Sequence, residues 1–112
     1  MQYMLLIYSD ENGDAEADDQ DVLTRYGAFT QEIRDNRKLV TADRLRPTSD
    51  ATTVRIRNGE ALVTDGPFAE TKEQLGGYYV LECENIDEAL AYAAKIPAAE
   101  QGSIEVRPVW QM

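Results

Sequence analysis

The chain of 112 residues contains no histidine and a single cysteine, Cys83. The first absence excludes His-based triads, imidazole general bases and histidine metal sites within the chain. The second excludes an internal disulfide and a thiolate zinc site. Any acid–base work must therefore fall to carboxylates, tyrosines or lysines. There is no long apolar run and no signal-peptide pattern, so the expected location is a reducing cytoplasm, with no membrane partner. Basic residues are scarce as well: 11 against 21 acidic ones, a formal net charge of −10. Such a charge repels phosphate backbones and anionic surfaces, so direct nucleic-acid binding is not expected.

What is present is one domain's worth of ordinary globular composition, 43% hydrophobic and 29% charged, read as a single domain over residues 1–112. Tyr3-Met4-Leu5-Leu6-Ile7-Tyr8 is apolar on both alternating faces, the mark of a central strand covered on both sides. An acidic loop follows at residues 10–21. It does not have the calcium-loop pattern: counting from Asp10, the sixth position is Ala15 and the twelfth is Asp21, where glycine and glutamate are required. Its last acids suit a helix N-terminus. Between Asp19 and Arg37, Val22, Leu23, Tyr26, Phe29 and Ile33 recur at helical spacing and predict a helix with one buried stripe. Leu39-Val40-Thr41-Ala42 begins a second strand, and residues 43–50 read as a loop.

The strongest short-range signal is Asn58-Gly59 between Thr52–Arg57 and Glu60–Thr64, a two-residue hairpin turn. It fixes a register in which Arg57 faces Glu60, Ile56 faces Ala61, Val54 faces Val63 and Thr52 faces Asp65. The last three pairs share a face, so Asp65 is expected to lie at the end of an apolar surface. There a carboxylate loses hydration and needs a cation, several donors or a proton. Arg44, Arg46, Lys72 and Arg107 are the candidate cations.

Asp65 opens the segment Asp65-Gly66-Pro67-Phe68-Ala69-Glu70-Thr71-Lys72-Glu73-Gln74-Leu75-Gly76-Gly77. Pro67 has no N–H, so Asp65 is denied its usual turn partner and must cap a later amide, such as that of Phe68 or Ala69, or bind something else. Thr71-Lys72-Glu73-Gln74 fits a capping box with room for about one helical turn. Gly76-Gly77 predicts a bulge or a close backbone approach. Tyr78–Cys83 is a second strand apolar on both faces, expected beside the first, with Cys83 an inert small hydrophobe. Asn85 with Glu88 opens a second helix through Ile96, ended by Pro97, and Ile104–Arg107 is a closing strand.

The order strand, helix, strand, hairpin, strand, helix, strand predicts an α+β ferredoxin-like sandwich with an inserted β-hairpin. Two helices cover only one sheet face. Burying about four apolar side chains of the other at ~1.5 to 3 kcal/mol each favours a homodimer with sheets packed face to face, a dimeric α+β barrel.

The run from Asp65 to Glu73 followed by Gly76-Gly77-Tyr78-Tyr79 resembles the signature of the DGPF proteins, a branch of the YCII-related family. The likeness extends from Tyr3–Tyr8 through Tyr26-Gly27-Ala28-Phe29 and Ala51–Arg55 to Glu105–Val109. The resemblance implies a dimeric α+β barrel. It also implies enzymatic activity from a first-helix histidine working with an aspartate near the Asp-Gly turn, as in a related lyase acting on a ring-derived substrate. Only the aspartate, Asp65, is matched here, so the dyad does not carry over. A regulatory or ligand-sensing setting linked to extracytoplasmic-function sigma factors is implied too.

Three readings follow. In the first, the chain is a homodimeric small-ligand-binding protein with a pocket formed by Asp65, Phe68, Glu70, Thr71, Lys72, Tyr78 and Arg44. In the second, Asp65 is the catalytic general acid or base of a lyase or isomerase that needs no cofactor or metal, beside Lys72 or Tyr78. The third gives the whole segment to architecture, with Asp65 capping the turn and the flanking charges forming salt bridges.

Overall fold

The computed structural model describes residues 1–13 and 19–111. The part of the acidic loop at residues 14–18 lies outside them. Six strands and two helices follow in order: β1 (Gln2–Ser9), α1 (Gln20–Asp35), β2 (Leu39–Arg44), β3 (Thr52–Arg57), β4 (Glu60–Asp65), β5 (Gln74–Glu82), α2 (Ile86–Ala93) and β6 (Ser103–Pro108), with short 3-10 turns at Thr48–Asp50 and Pro97–Glu100. Strands β2-β5-β1-β6 form one antiparallel sheet, and β3-β4 form a separate two-stranded hairpin. The expected ferredoxin-like sandwich with an inserted hairpin is what the chain forms, with β1 and β5 adjacent at the sheet centre.

One face of the sheet is closed by both helices. Tyr3, Leu5 and Ile7 of β1 and Tyr79 and Leu81 of β5 meet Phe29 and Ile33 of α1 and Ala89 and Ala93 of α2, joined by Cys83 and Ile96. The Phe29 ring stands edge-on to Tyr79, centroids 5.1 Å apart, the favourable arrangement for two aromatic quadrupoles. The Tyr79 hydroxyl, buried with its ring, shares a hydrogen bond of 3.0 Å with the Thr30 hydroxyl. Asp19 caps α1 by accepting from the Asp21 and Val22 amides, and Asn85 caps α2 by accepting from the Glu88 amide at 3.0 Å, each relieving an N–H that the helix leaves unpaired.

The expected pairings of the hairpin, from Thr52–Asp65 to Arg57–Glu60, are those observed, with Asn58 and Gly59 both at positive φ in the turn, as a type I′ connection requires. The double glycine performs both of its expected duties. Gly76 is the extra residue of a bulge between the Ile7–Gly77 and Tyr8–Leu75 pairs. At Gly77, a Cβ would stand 2.9 Å from the Asp43 carbonyl oxygen.

Three expectations are corrected. Asp43 and Arg44, read as the start of a loop, belong to β2, where they pair with Tyr78 and Gly77 of β5. No helical turn forms at Thr71–Gln74: Gln74 already belongs to β5, and the Thr71 hydroxyl donates to the Glu73 carbonyl at 2.7 Å instead, so the ladder overrides a local helix signal. Helix α2 ends at Ala93, not Ile96. Ile96 is extended, with φ −69° and ψ 127°, because the residue before a proline is pushed out of the helical region.

Candidate functional site

Alternation leaves the opposite face of the sheet to the residues between the core positions. The strand registers arrange them in rows. One row reads Asp43, Tyr78, Leu6 and Glu105 across β2, β5, β1 and β6; the next reads Thr41, Val80, Met4 and Arg107. The middle of the face is therefore apolar, and its two edges carry carboxylates and one guanidinium. No helix covers it.

Two phenols on this face are tied to edge carboxylates. The Tyr78 hydroxyl donates to Asp43 Oδ2 at 2.7 Å, and this bond, followed by lost hydration and the negative charge of Asp43, holds the phenol above its ordinary pKa. The Tyr8 hydroxyl donates to Glu105 Oε1 at 3.3 Å. Burial first, then the Glu105 charge, raises the Tyr8 pKa, while Arg107 acts in the opposite direction. Each carboxylate keeps lone pairs beyond the one its phenol occupies. The arrangement offers hydrogen-bond acceptors at the rim of an apolar floor, suited to a small ring or chain bearing O–H or N–H donors.

The connection after β4 leads into the first residue of β5, Gln74. Gly66 has φ 96°, a left-handed conformation that favours glycine. Its amide donates to the Ala51 carbonyl at 2.7 Å, its carbonyl accepts from the Thr53 hydroxyl at 2.8 Å, and Arg55 Nη2 donates to the Phe68 carbonyl at 3.1 Å. Asp65 sits opposite Thr52 as expected, but it is exposed. The apolar face it shares does not desolvate it, because Val54, Ile56 and Val63 are themselves 63%, 60% and 65% exposed. Of its candidate cations, Arg46 is engaged by Asp50 at 3.0 Å.

The residues expected to share a pocket are divided among three places. Phe68, Glu70, Thr71 and Lys72 are exposed along the connection. Tyr78 is on the open sheet face with Asp43. Arg44, one residue beyond Asp43, acts electrostatically on Tyr26, on the helix side. Two polar participants escaped the sequence: Asp43, whose meeting with Tyr78 depends on the β2–β5 register, and Glu11. The Glu11 carboxylate accepts from the Thr48 amide and hydroxyl at 2.8 and 2.7 Å, and its own amide donates to Gln74 Oε1 at 2.9 Å. Ser103 donates to Glu73 Oε1 at 2.8 Å. These bonds tie the loop after β1, the turn after β2 and the start of β6 to the end of the Asp65–Gln74 connection.

A shallow hollow of about 300 Å³ lies between the helices instead, lined by Glu32, Asn36, Glu88, Ala91, Tyr92 and Lys95. Its charges are matched to one another: Lys38 pairs with Glu88 at 2.9 Å and Lys95 with Glu32, and Asn36 donates to the Tyr92 hydroxyl at 3.0 Å. No group of three or more potential metal ligands occurs among the described residues.

The fold and this face define a ferredoxin-like α+β protein with one sheet surface left open. The chain belongs to the YCII-related family, whose domain model it matches over residues 1–112. An uncharacterised protein of Rhizobium meliloti (strain 1021) is 41% identical over 114 residues, covering 97% of this chain and 92% of that protein. Among solved structures, 5-chloro-2-hydroxyhydroquinone dehydrochlorinase (TftG) from Burkholderia phenoliruptrix, in complex with 2,5-dihydroxybenzoquinone, has the same fold: TM-score 0.51, 15% identity, covering 99% of this chain and 94% of that one.

Proposed function

We propose that this protein is a homodimeric small-ligand-binding protein in which two open sheet faces pack together and the ligand binds beside Tyr78, Asp43 and the Asp65–Lys72 connection. The observation that carries the reading is the row Asp43–Tyr78–Leu6–Glu105: a phenol–carboxylate pair on an apolar floor that neither helix covers. A solved protein of the same fold holds a dihydroxylated quinone, which supports small hydroxylated rings as the class to try first. The sigma-factor-linked setting and the cytoplasmic location belong to the same reading, in which binding is sensed rather than followed by turnover.

Catalysis by Asp65 has less support. Its carboxylate is exposed, and Tyr78, the phenol expected to assist it, is engaged by Asp43.

The test is thermal shift with dihydroxyquinones and hydroxybenzoates. A ligand present at a hundred times its dissociation constant stabilises the folded state by about 2.7 kcal/mol. The expected result is a shift for wild type that Tyr78→Phe and Asp43→Asn both reduce. Wild-type protein that no compound of these classes stabilises would overturn the reading, as would a shift indifferent to both substitutions.

A further inference from the structure

Among the described residues, the β3–β4 hairpin makes no substantial packing contact with the sheet or either helix. It stands out as an arm: the radius of gyration is 15.8 Å, against about 13 Å for a compact chain of this length. A lone two-stranded hairpin is marginal in water, so this arm needs a cover. Its two faces differ. Thr53 and Arg55, on one side, bond to the chain's own Gly66 and Phe68 carbonyls. Val54, Ile56 and Val63 project from the other, more than half exposed. The polar side is thus the one engaged by its own turn, and the apolar side is turned away from it.

We propose that this apolar face clasps the sheet of a second copy of the chain, so that each ligand site is completed by the arm of the other subunit. The proposal rests on the two-copy reading above and adds a part to it. Three observations favour a second copy as the occupant. First, one chain displays both an exposed apolar arm and an apolar sheet face that neither helix covers, and a two-fold axis satisfies both at once. Second, the arm is electrically neutral: residues 52–65 hold Arg55 and Arg57 against Glu60 and Asp65, so the whole net charge of −10 lies elsewhere. It is the segment best able to approach another strongly anionic copy. Third, four strands of six to nine residues at their usual spacing present roughly 450 Å² of sheet face, short of the ~800 Å² that each partner gives to a stable interface. The arm supplies the remainder.

Val54→Thr/Ile56→Thr/Val63→Thr keeps β-branching, and with it the hairpin, while removing the apolar surface. In sedimentation equilibrium the dimer dissociation constant should rise roughly tenfold or more relative to wild type. Hydrogen exchange of the β3 and β4 amides should slow in wild type as the protein concentration crosses that constant. If Leu6→Asp dissociates the dimer but the arm triple variant does not, the sheet-packed dimer stands and the clasp is overturned. A wild-type chain that stays monomeric overturns both. Arm exchange that is slow at every concentration would mean some other cover and would also overturn the clasp.

Discussion

Tyr78 on β5 and Asp43 on β2 face each other directly in the strand register, and the phenol reaches the carboxylate at 2.7 Å. This pair joins a sheet edge to the apolar centre of the open face, and it has a pH signature. The Tyr78 pKa is raised chiefly by its bond to Asp43. A phenol whose folded pKa exceeds its unfolded value of about 10 contributes stability that is complete below pH about 10 and is lost as pH rises through the folded value. Ultraviolet titration of wild type should therefore show a tyrosine ionising later than that reference. Tyr8 and Tyr26 are raised too, so Tyr78→Phe should remove one tyrosine from the late component and leave the rest, and Asp43→Asn should move that one tyrosine to lower pH. A titration unchanged by either substitution would refute the assignment.

The same strand pair makes a backbone prediction with its own control. At Gly77 an added Cβ would stand 2.9 Å from the Asp43 carbonyl oxygen, whereas at Gly76 the nearest atom, the Ile7 carbonyl oxygen, is 4.0 Å away. The first obstacle is backbone held in a ladder and cannot swing aside. Gly77→Ala should cost about 1 to 3 kcal/mol in urea unfolding, and Gly76→Ala less than about 1 kcal/mol. Equal costs would show that β2 yields at this point.

How much of this was legible in the sequence depended on how far apart the interacting residues lie. The Asn58-Gly59 turn and its register were readable because a two-residue loop leaves no freedom in pairing. The double glycine was readable because the absence of side chains is itself the signal. The Tyr78–Asp43 bond was not. It joins residues 35 positions apart, and the β2 register shifts between Leu39 and Thr41, which decides which residues come opposite. Asp65 shows a different limit. Alternation correctly placed it on the face of Val54 and Val63, but which face a hairpin buries depends on what lies against it, and that is not a local property.

The end of α1 offers a stabilising substitution. Arg37 has φ 59°, and the Lys38 amide reaches back to the Ile33 carbonyl at 2.8 Å, a C-terminal cap that glycine normally supplies. A side chain in this conformation costs roughly 1 to 2 kcal/mol, partly offset by the greater chain entropy that glycine loses on folding. Arg37→Gly should raise stability by up to about 1 kcal/mol, read as a higher urea midpoint with unchanged slope. A lower midpoint would mean that the Arg37 side chain contributes more than its strained backbone costs.

Cys83 provides a probe of how the core opens. It follows β5 and is 2% exposed. Its amide donates to the Met1 carbonyl at 2.9 Å, and its carbonyl accepts from the Met1 ammonium at 3.2 Å. Burial first, and the nearby Glu88 charge second, raise the thiol pKa, with Lys38 opposing. The thiolate is the reactive form, so the buried thiol is doubly protected. Its contribution to stability is full below the unfolded pKa of about 8.5 and declines as pH rises toward the folded value. A disulfide reagent such as DTNB should therefore label native protein slowly at pH 8 and label it at once in denaturant. Because labelling requires β1 and α2 to part around Cys83, the native rate should increase in step with core destabilisation by Ile33→Ala, which removes a fully buried side chain at a cost of about 2 to 5 kcal/mol. Labelling that ignored Ile33→Ala would instead place the opening at the first residues of the chain alone, a local fraying of Met1 away from Cys83.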